Sequence, residues 1–325
     1  MGIKGLNQFL SKTMNIRPQP IEIEHLKGER VAIDTNYLVG RFYSSAKNKL
    51  LKKAKLLIEF PNDEDVVPIA MDSIRGFLSD FTNNGIDIVL CYDGSMSKLK
   101  AQTLKKRKKN QEDKKEILEE VMNKMENGTM EERKKLIESY KKAYVGYYNF
   151  KIVLMIVEAC KREFSQYDNL VASDINPEGE ALCAYLVNTN DCFAAYSADS
   201  DLLAYGTRFI INDVGWKRIN GNSKLCLTMH SYKRVLTALG FTDSEFMDFC
   251  IMCGTDFNNN IPNKGAVRSY GIIKKYKDID YIENLDVSIL NHKEVRKIFK
   301  HSREPSDEVI FTMLPKENVE YFSAI

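Results

Sequence analysis

Acidic residues at the ends of apolar runs are the first features of this chain that could do chemistry. Val31-Ala32-Ile33 ends on Asp34, Ile88-Val89-Leu90-Cys91-Tyr92 ends on Asp93, and the run from Cys192 to Ala198 ends on Asp199. A single aspartate after a strand is usually a turn or a helix cap. Three in one chain ask for another explanation. Asp201 follows two residues after Asp199, Pro177-Glu178-Gly179-Glu180 opens a helical stretch, and Asp256 follows Cys253-Gly254-Thr255. Glu178 and Glu180 would face different ways on a regular helix. They meet at one site only if Glu178 stands at or before the cap, which Gly179 permits; otherwise both simply complement the helix dipole.

Seven carboxylates suit hard divalent cations, because magnesium takes oxygen ligands and keeps part of its shell for water and phosphate. So many acids suggest two ions, held about 3.5–4 Å apart in enzymes that cleave phosphodiesters. Such chemistry needs no Ser, Cys or His nucleophile, and four histidines suggest no triad. Taken alone, Asp199-Ser200-Asp201 also suggests a haloacid-dehalogenase-type phosphatase. Leu202-Leu203 then stands where a threonine is expected, and the other acids go unexplained.

The second set of residues is basic. Lys98, Lys100, Lys105, Lys106, Arg107, Lys108 and Lys109 fall in a stretch without one acid, shortly after Asp93. A charge run is usually a solvated face, and Lys105 to Lys109 also reads as a nuclear localisation signal. Its place at the mouth of the proposed metal site points to phosphate. Lys100 and Arg107 are seven apart, hence on one face of a helix.

The elements that must position these groups form an α/β order. The apolar runs read as strands buried on both faces, separated by helical patterns, and in such sheets ligands gather at the carboxyl ends. A Lys/Glu-rich helical section from Lys98 to Glu163 interrupts the pattern, and after Tyr232 the chain is mainly helical. With 44% hydrophobic and 28% charged residues and a net charge of +2, any nucleic-acid signal is local. No apolar run reaches membrane-spanning length, and neither a signal peptide nor a myristoylation site is expected at the N-terminus. Seven cysteines are expected as reduced thiols in an intracellular compartment, with Cys250 and Cys253 on a buried helix face rather than on zinc.

Met1-Gly2-Ile3-Lys4-Gly5-Leu6, Val31-Ala32-Ile33-Asp34, Tyr92-Asp93-Gly94, Pro177-Glu178-Gly179-Glu180-Ala181, Ala198-Asp199-Ser200-Asp201 and Phe249 to Phe257 together resemble the flap endonuclease/XPG family of 5′ nucleases over nearly the whole chain. All seven acidic positions of that family are matched: Asp34, Asp93, Glu178, Glu180, Asp199, Asp201 and Asp256. The resemblance implies a PIN-like nuclease core: α/β, with a mainly parallel central sheet, helices on both faces, a helical arch insertion and a C-terminal helix–two-turn–helix element. The corresponding regions are 1–97, 98–165, 166–257 and 258–325. It implies a structure-specific 5′ flap endonuclease with 5′→3′ exonuclease activity in replication, repair or recombination. It also implies two Mg²⁺ ions, with Mn²⁺ able to substitute, and Lys100 and Arg107 as stabilisers of the scissile phosphate.

Further DNA contacts are implied for Gly2, Lys47, Lys98, Lys105 and Lys106, and for Asn263, Lys264, Gly265, Arg268, Lys274 and Lys275 around the duplex-binding loop. In that loop Asn263 stands at a glycine position, which argues against a potassium ion there, although Asn tolerates the left-handed conformation. Gly40 replaces a substrate-stacking aromatic; Phe42 and Tyr43 lie nearby, with core packing the expected role of each. The C-terminal sequence shows no sliding-clamp motif, and a monomer is expected, acting on flaps, nicks or junctions. A compact, tailless member suits a large DNA virus or a divergent eukaryote, and hence the nucleus or a replication factory in the host cytoplasm. A catalytically silent junction-binding scaffold and a metal-dependent phosphatase are the competing classes.

Overall fold

Strand formation follows the apolar runs closely where both faces are covered. In the computed structural model, which describes residues 2–56, 59–95, 100–174, 176–303 and 310–315, one eight-stranded sheet runs through the chain. Its strands are β1 Gln19–Glu22, β2 Arg30–Asp34, β3 Asp87–Tyr92, β4 Asp168–Ala172, β5 Ala194–Tyr196, β6 Phe209–Ile219, β7 Asn222–Ser231 and β8 Phe311–Met313. Their spatial order is β1-β7-β6-β5-β2-β3-β4-β8. The five in the middle, β6-β5-β2-β3-β4, pair in parallel, and antiparallel strands close both edges.

This order contains a reversal. From β2 the sheet grows through β3 and β4 on one side, then through β5 and β6 on the other. The reversal lies between β2 and β5, and the crevice outside the carboxyl ends at such a point is where ligands bind in open α/β sheets. The register sets the geometry. Asp34 pairs with Cys91 and Ile33 with Tyr196, so Asp93 and Asp199 both emerge just beyond the strand ends beside Asp34.

The described chain forms two compact units. The first draws on Met1–Tyr37, Asp80–Lys100 and Tyr167–Lys316 and holds the sheet; the second draws on Leu38–Ser79 and Ala101–Gln166 and is helical. These units interleave along the sequence.

The first unit has an apolar core that joins Val89 and Ala195 of the strands to Phe246, Phe249 and Met252 of the helix Asp243–Cys253. That helix is closed at its start by a capping box between Thr242 and Glu245. Cys250 and Cys253 are buried in it as free thiols, as expected. The second unit packs Leu51, Leu56, Leu118, Met125, Tyr140 and Tyr144 between its helices. The section expected to be helical from Lys98 onward resolves into helices Ala101–Asn127, Met130–Gly146 and Phe150–Glu163. Among the described residues no helix is long and apolar enough to cross a membrane.

Candidate metal centre

Each of the seven acids is delivered by the end of an element. Asp34 closes β2, Asp93 follows β3, Asp199 follows β5, and Asp201 opens the short helix Asp201–Ala204. Glu178 is the N-cap of the helix Gly179–Asn188, in extended conformation (φ −95, ψ 127), and Glu180 lies in its first turn. The cap position lets two glutamates two residues apart turn to one site, the condition that the sequence spacing imposed. Gly179 suits this position because its chain passes close to β3. Its N–H donates to Asp93 Oδ1 at 2.8 Å, and a Cβ there would stand 3.2 Å from both that oxygen and the Tyr92 carbonyl carbon. Asp256 follows the helix Asp243–Cys253.

The carboxylates repel one another and are only partly compensated. Oxygens of Glu180, Asp199 and Asp201 all lie within 4.8 Å of one another. Burial and the neighbouring charge of Asp93 push Asp34 up to about 7, and burial with the charge of Glu178 pushes Asp93 up to about 6. Glu180 and Asp201 are raised well above the ordinary carboxylate range, by burial first and by Asp199 second. Asp201 is fully buried, and neither of its carboxylate oxygens has a hydrogen-bond partner among the described residues. A buried carboxylate without a partner is costly. A divalent cation is the natural partner for such a donor set, which is all oxygen and suits magnesium.

Lys100 is the cation already present. Its ammonium donates to Glu178 Oε2 at 2.6 Å and lies 3.8 Å from both Glu180 Oε1 and Asp256 Oδ2. Its side chain is 8% exposed. Burial lowers its pKa, but the charges of Glu180 and Glu178 outweigh that and raise it. Lys100 stands immediately before the helix Ala101–Asn127, which carries Arg107.

Polar residues that no motif had marked complete the centre. Ser197 Oγ donates to Asp34 Oδ2 at 3.2 Å, and the Tyr37 N–H donates to Asp34 Oδ1 at 3.0 Å. Asn36 Oδ1 accepts from the Asp93 N–H, and Ser200 Oγ accepts from the Ile3 N–H at 2.9 Å. That last bond ties the N-terminal segment to the acids. A Cβ on Gly2 would collide with Asp199 Oδ1 and Ser200 Oγ, so only glycine fits where the sequence reading had placed a DNA contact. The one signal for Ser197 and Ser200 was their adjacency to the strand-end aspartates.

The other expected DNA contacts divide. Lys105 and Lys106 are exposed on the helix Ala101–Asn127, and Lys98 lies outside the described residues. Lys47 is a correction. It is fully buried; its ammonium donates to the carbonyls of Tyr144 and Tyr147 and sits 4.1 Å from the Tyr144 ring centroid. Burial pulls its pKa down to about 8. It fastens the end of the helix Met130–Gly146 and presents no charge to a phosphate. Tyr43 is buried, and Phe42 packs edge-on against Phe77, so both serve the fold as expected.

In the loop between the helices Asp243–Cys253 and Ala266–Tyr276, Asn263 adopts φ 60, the left-handed geometry expected where it stands at a glycine position. Arg268 Nη1 donates to the Asn263 carbonyl at 2.7 Å, and Gly265 caps the helix Ala266–Tyr276. Lys264 N–H donates to the Ile261 carbonyl at 3.0 Å. Lys274 serves the fold, donating to the Gly240 carbonyl at 2.9 Å with its ammonium 5.2 Å from the Phe241 ring centroid. Lys275 donates to the Tyr276 hydroxyl at 3.1 Å.

Carboxylates crowded beyond what protein groups can neutralise, at the reversal of a mainly parallel sheet, define the divalent-metal class of α/β proteins. The model of the XPG N-terminal domain matches residues 1–114 and that of the XPG I-region matches residues 172–256. Flap endonuclease 1 of Theileria parva is 29% identical over 284 residues, covering 87% of this chain and 53% of the relative. That of Entamoeba histolytica is 26% identical over 310 residues, covering 93% and 76%. Among solved structures, flap endonuclease-1 from Methanococcus jannaschii aligns with a TM-score of 0.52 at 21% identity, covering 89% of this chain and 84% of that one. The catalytic core of Rad2 in complex with DNA substrate aligns at 0.54 and 16% identity, covering 94% and 81%. The chain belongs to the flap endonuclease/XPG family. It spans about half the length of several of the relatives it matches.

Proposed function

We propose that this protein is a magnesium-dependent, structure-specific 5′ nuclease that hydrolyses phosphodiesters in branched or nicked DNA. The observation that carries the reading is Asp201: a buried, unpartnered carboxylate grouped with Glu180 and Asp199, beside a buried lysine. Glu180, Asp199 and Asp201 would hold one ion, with Asp34, Asp93, Glu178 and Asp256 as further candidate donors around it. Bound magnesium supplies Lewis acidity and a more acidic attacking water. Manganese, also an oxygen-preferring ion, would substitute.

The chain's own groups do the rest. Lys100 places a fixed positive charge among the acids, where it would stabilise charge that develops on the scissile phosphate. Lys105, Lys106, Lys264, Arg268 and Lys275 would hold the phosphate backbone, with the Asn263 turn shaping the approach of a duplex. A junction-binding scaffold has no use for seven mutually repelling carboxylates, and a small-molecule phosphatase has none for the basic residues.

The test uses end-labelled flap, nicked and single-stranded DNA with Mg²⁺ or EDTA. Release of the 5′ flap only with Mg²⁺ is expected, and Asp199→Ala should abolish cutting while keeping flap binding. Tight binding without cutting by the unaltered protein would return the scaffold reading.

A further inference from the structure

We infer that Phe257 is a positioning residue that aims Lys100, an inference that rests on the nuclease reading above. Lysine carries a point charge on a flexible four-carbon stem, so a fixed position needs contacts on more than one side. Three of those contacts are Glu178, Glu180 and Asp256. All three are candidate metal ligands, so their grip on Lys100 is shared with any cation that they hold. Phe257 offers a contact that is not shared. Its ring centroid lies 5.0 Å from Lys100 Nζ, inside the roughly 6 Å range of a cation–π interaction.

The ring is itself held in place. Phe257 is 7% exposed, and its ring meets Phe299 edge-on, with centroids 5.9 Å apart at 80°. Its N–H donates to Thr255 Oγ1 at 3.0 Å, and that hydroxyl donates to Asn258 Oδ1 at 2.7 Å. Asn258 Nδ2 in turn donates to the Ile251 carbonyl, which ties the turn to the helix Asp243–Cys253. One turn thus presents the Asp256 carboxylate and the Phe257 ring to the same ammonium. The ring gives Lys100 an electron-rich wall that no metal ion competes for.

The test is a cycle of Phe257→Leu, Lys100→Ala and the double variant, with Phe257→Tyr as rescue. Single-turnover cutting of a saturating 5′ flap with Mg²⁺, flap affinity in EDTA, and the Lys100 Hε shift in ¹³C-lysine-labelled protein are read. Phe257→Leu should cut about tenfold more slowly, the size of a desolvated cation–π contact. Flap affinity should stay within about twofold, since Lys100 acts on the reacting phosphate. Phe257→Tyr should restore the rate, and Phe257→Leu added to Lys100→Ala should slow cutting no further. In EDTA the Lys100 Hε signals should lie upfield through the ring current and move downfield in Phe257→Leu. An unchanged rate in Phe257→Leu, additive slowing in the double variant, or Lys100 signals indifferent to residue 257 each overturns the inference. If the unaltered protein cuts no DNA, the nuclease reading fails, and the shift experiment still decides whether Phe257 holds Lys100.

Discussion

Asp201 shows what the site costs the fold. A carboxylate whose pKa is raised on folding holds its proton better in the native state, so its contribution to stability is full at low pH and is lost as pH rises through the folded value. Asp34, with a folded value of about 7, and Asp93, at about 6, place that loss between roughly pH 4 and pH 7 for the metal-free protein. The melting temperature in EDTA should therefore fall across this window. Magnesium should raise it, and raise it more at pH 8 than at pH 5.5, because ions bind the deprotonated acids. A magnesium effect independent of pH in differential scanning fluorimetry would contradict this. Asp201→Asn removes a buried carboxyl group whose oxygens have no hydrogen-bond partner among the described residues. It should raise the melting temperature in EDTA, abolish most of the magnesium stabilisation and stop flap cutting. Loss of stability in EDTA would show that Asp201 is satisfied in a way the centre does not reveal.

At the scale of elements, two cations fasten helices instead of touching substrate. Arg296, on the helix His292–His301, donates to Asp248 on the helix Asp243–Cys253, and also to Asp278 and Asp280. Asp248 is 4% exposed at its side chain, so removing the guanidinium strands a buried charge. Arg296→Met should cost about 3–5 kcal/mol of unfolding free energy, measured by urea titration. A cost below about 1 kcal/mol would mean that Asp248 finds water or a proton. Lys47→Met keeps much of the side-chain volume and removes the donor to Tyr144 and Tyr147, for an expected loss of about 1.5–3 kcal/mol. Flap affinity should hardly change, since the ammonium is enclosed; a salt-sensitive loss of affinity would restore Lys47 as a DNA contact.

The same scale explains what could be read in advance. β2 and β3 were legible because both of their faces are buried and their runs are continuous, and the acid at each end then followed. The β6–β7 hairpin carries a sequence signal of its own: Asn220-Gly221, at φ 50 and 83, is the turn that two-residue hairpins favour. β4 gave none, since Asp168-Asn169-Leu170-Val171-Ala172 opens on two polar residues and owes its place to pairing with β3. Lys47 was misplaced because sequence shows charge but not enclosure. Phe257 stayed hidden because an apolar residue beside an acid reads as core until its distance to Lys100 is known.

At the scale of the molecule, the charge is nearly balanced, at +2 in total, while its distribution is not. Acids crowd the end of the sheet, and lysines and arginine crowd 98–109, so attraction to a polyanion must be local. Phosphate contacts release counterions, and each contributes about 0.9 to the slope of log affinity against log salt. If Lys105, Lys106, Lys264, Arg268 and Lys275 each neutralise a phosphate, five contacts predict a slope near −4.5 for a flapped duplex in EDTA, measured by fluorescence anisotropy. Replacing Lys105 and Lys106 together with alanine should reduce that slope by about 2 without selecting among DNA sequences. A slope that stays the same would remove both lysines from the interface. Lys274→Ala supplies the internal control, because its ammonium already bonds the Gly240 carbonyl. It should lower stability and leave the salt slope unchanged, separating a charge that holds the fold from charges that hold the substrate.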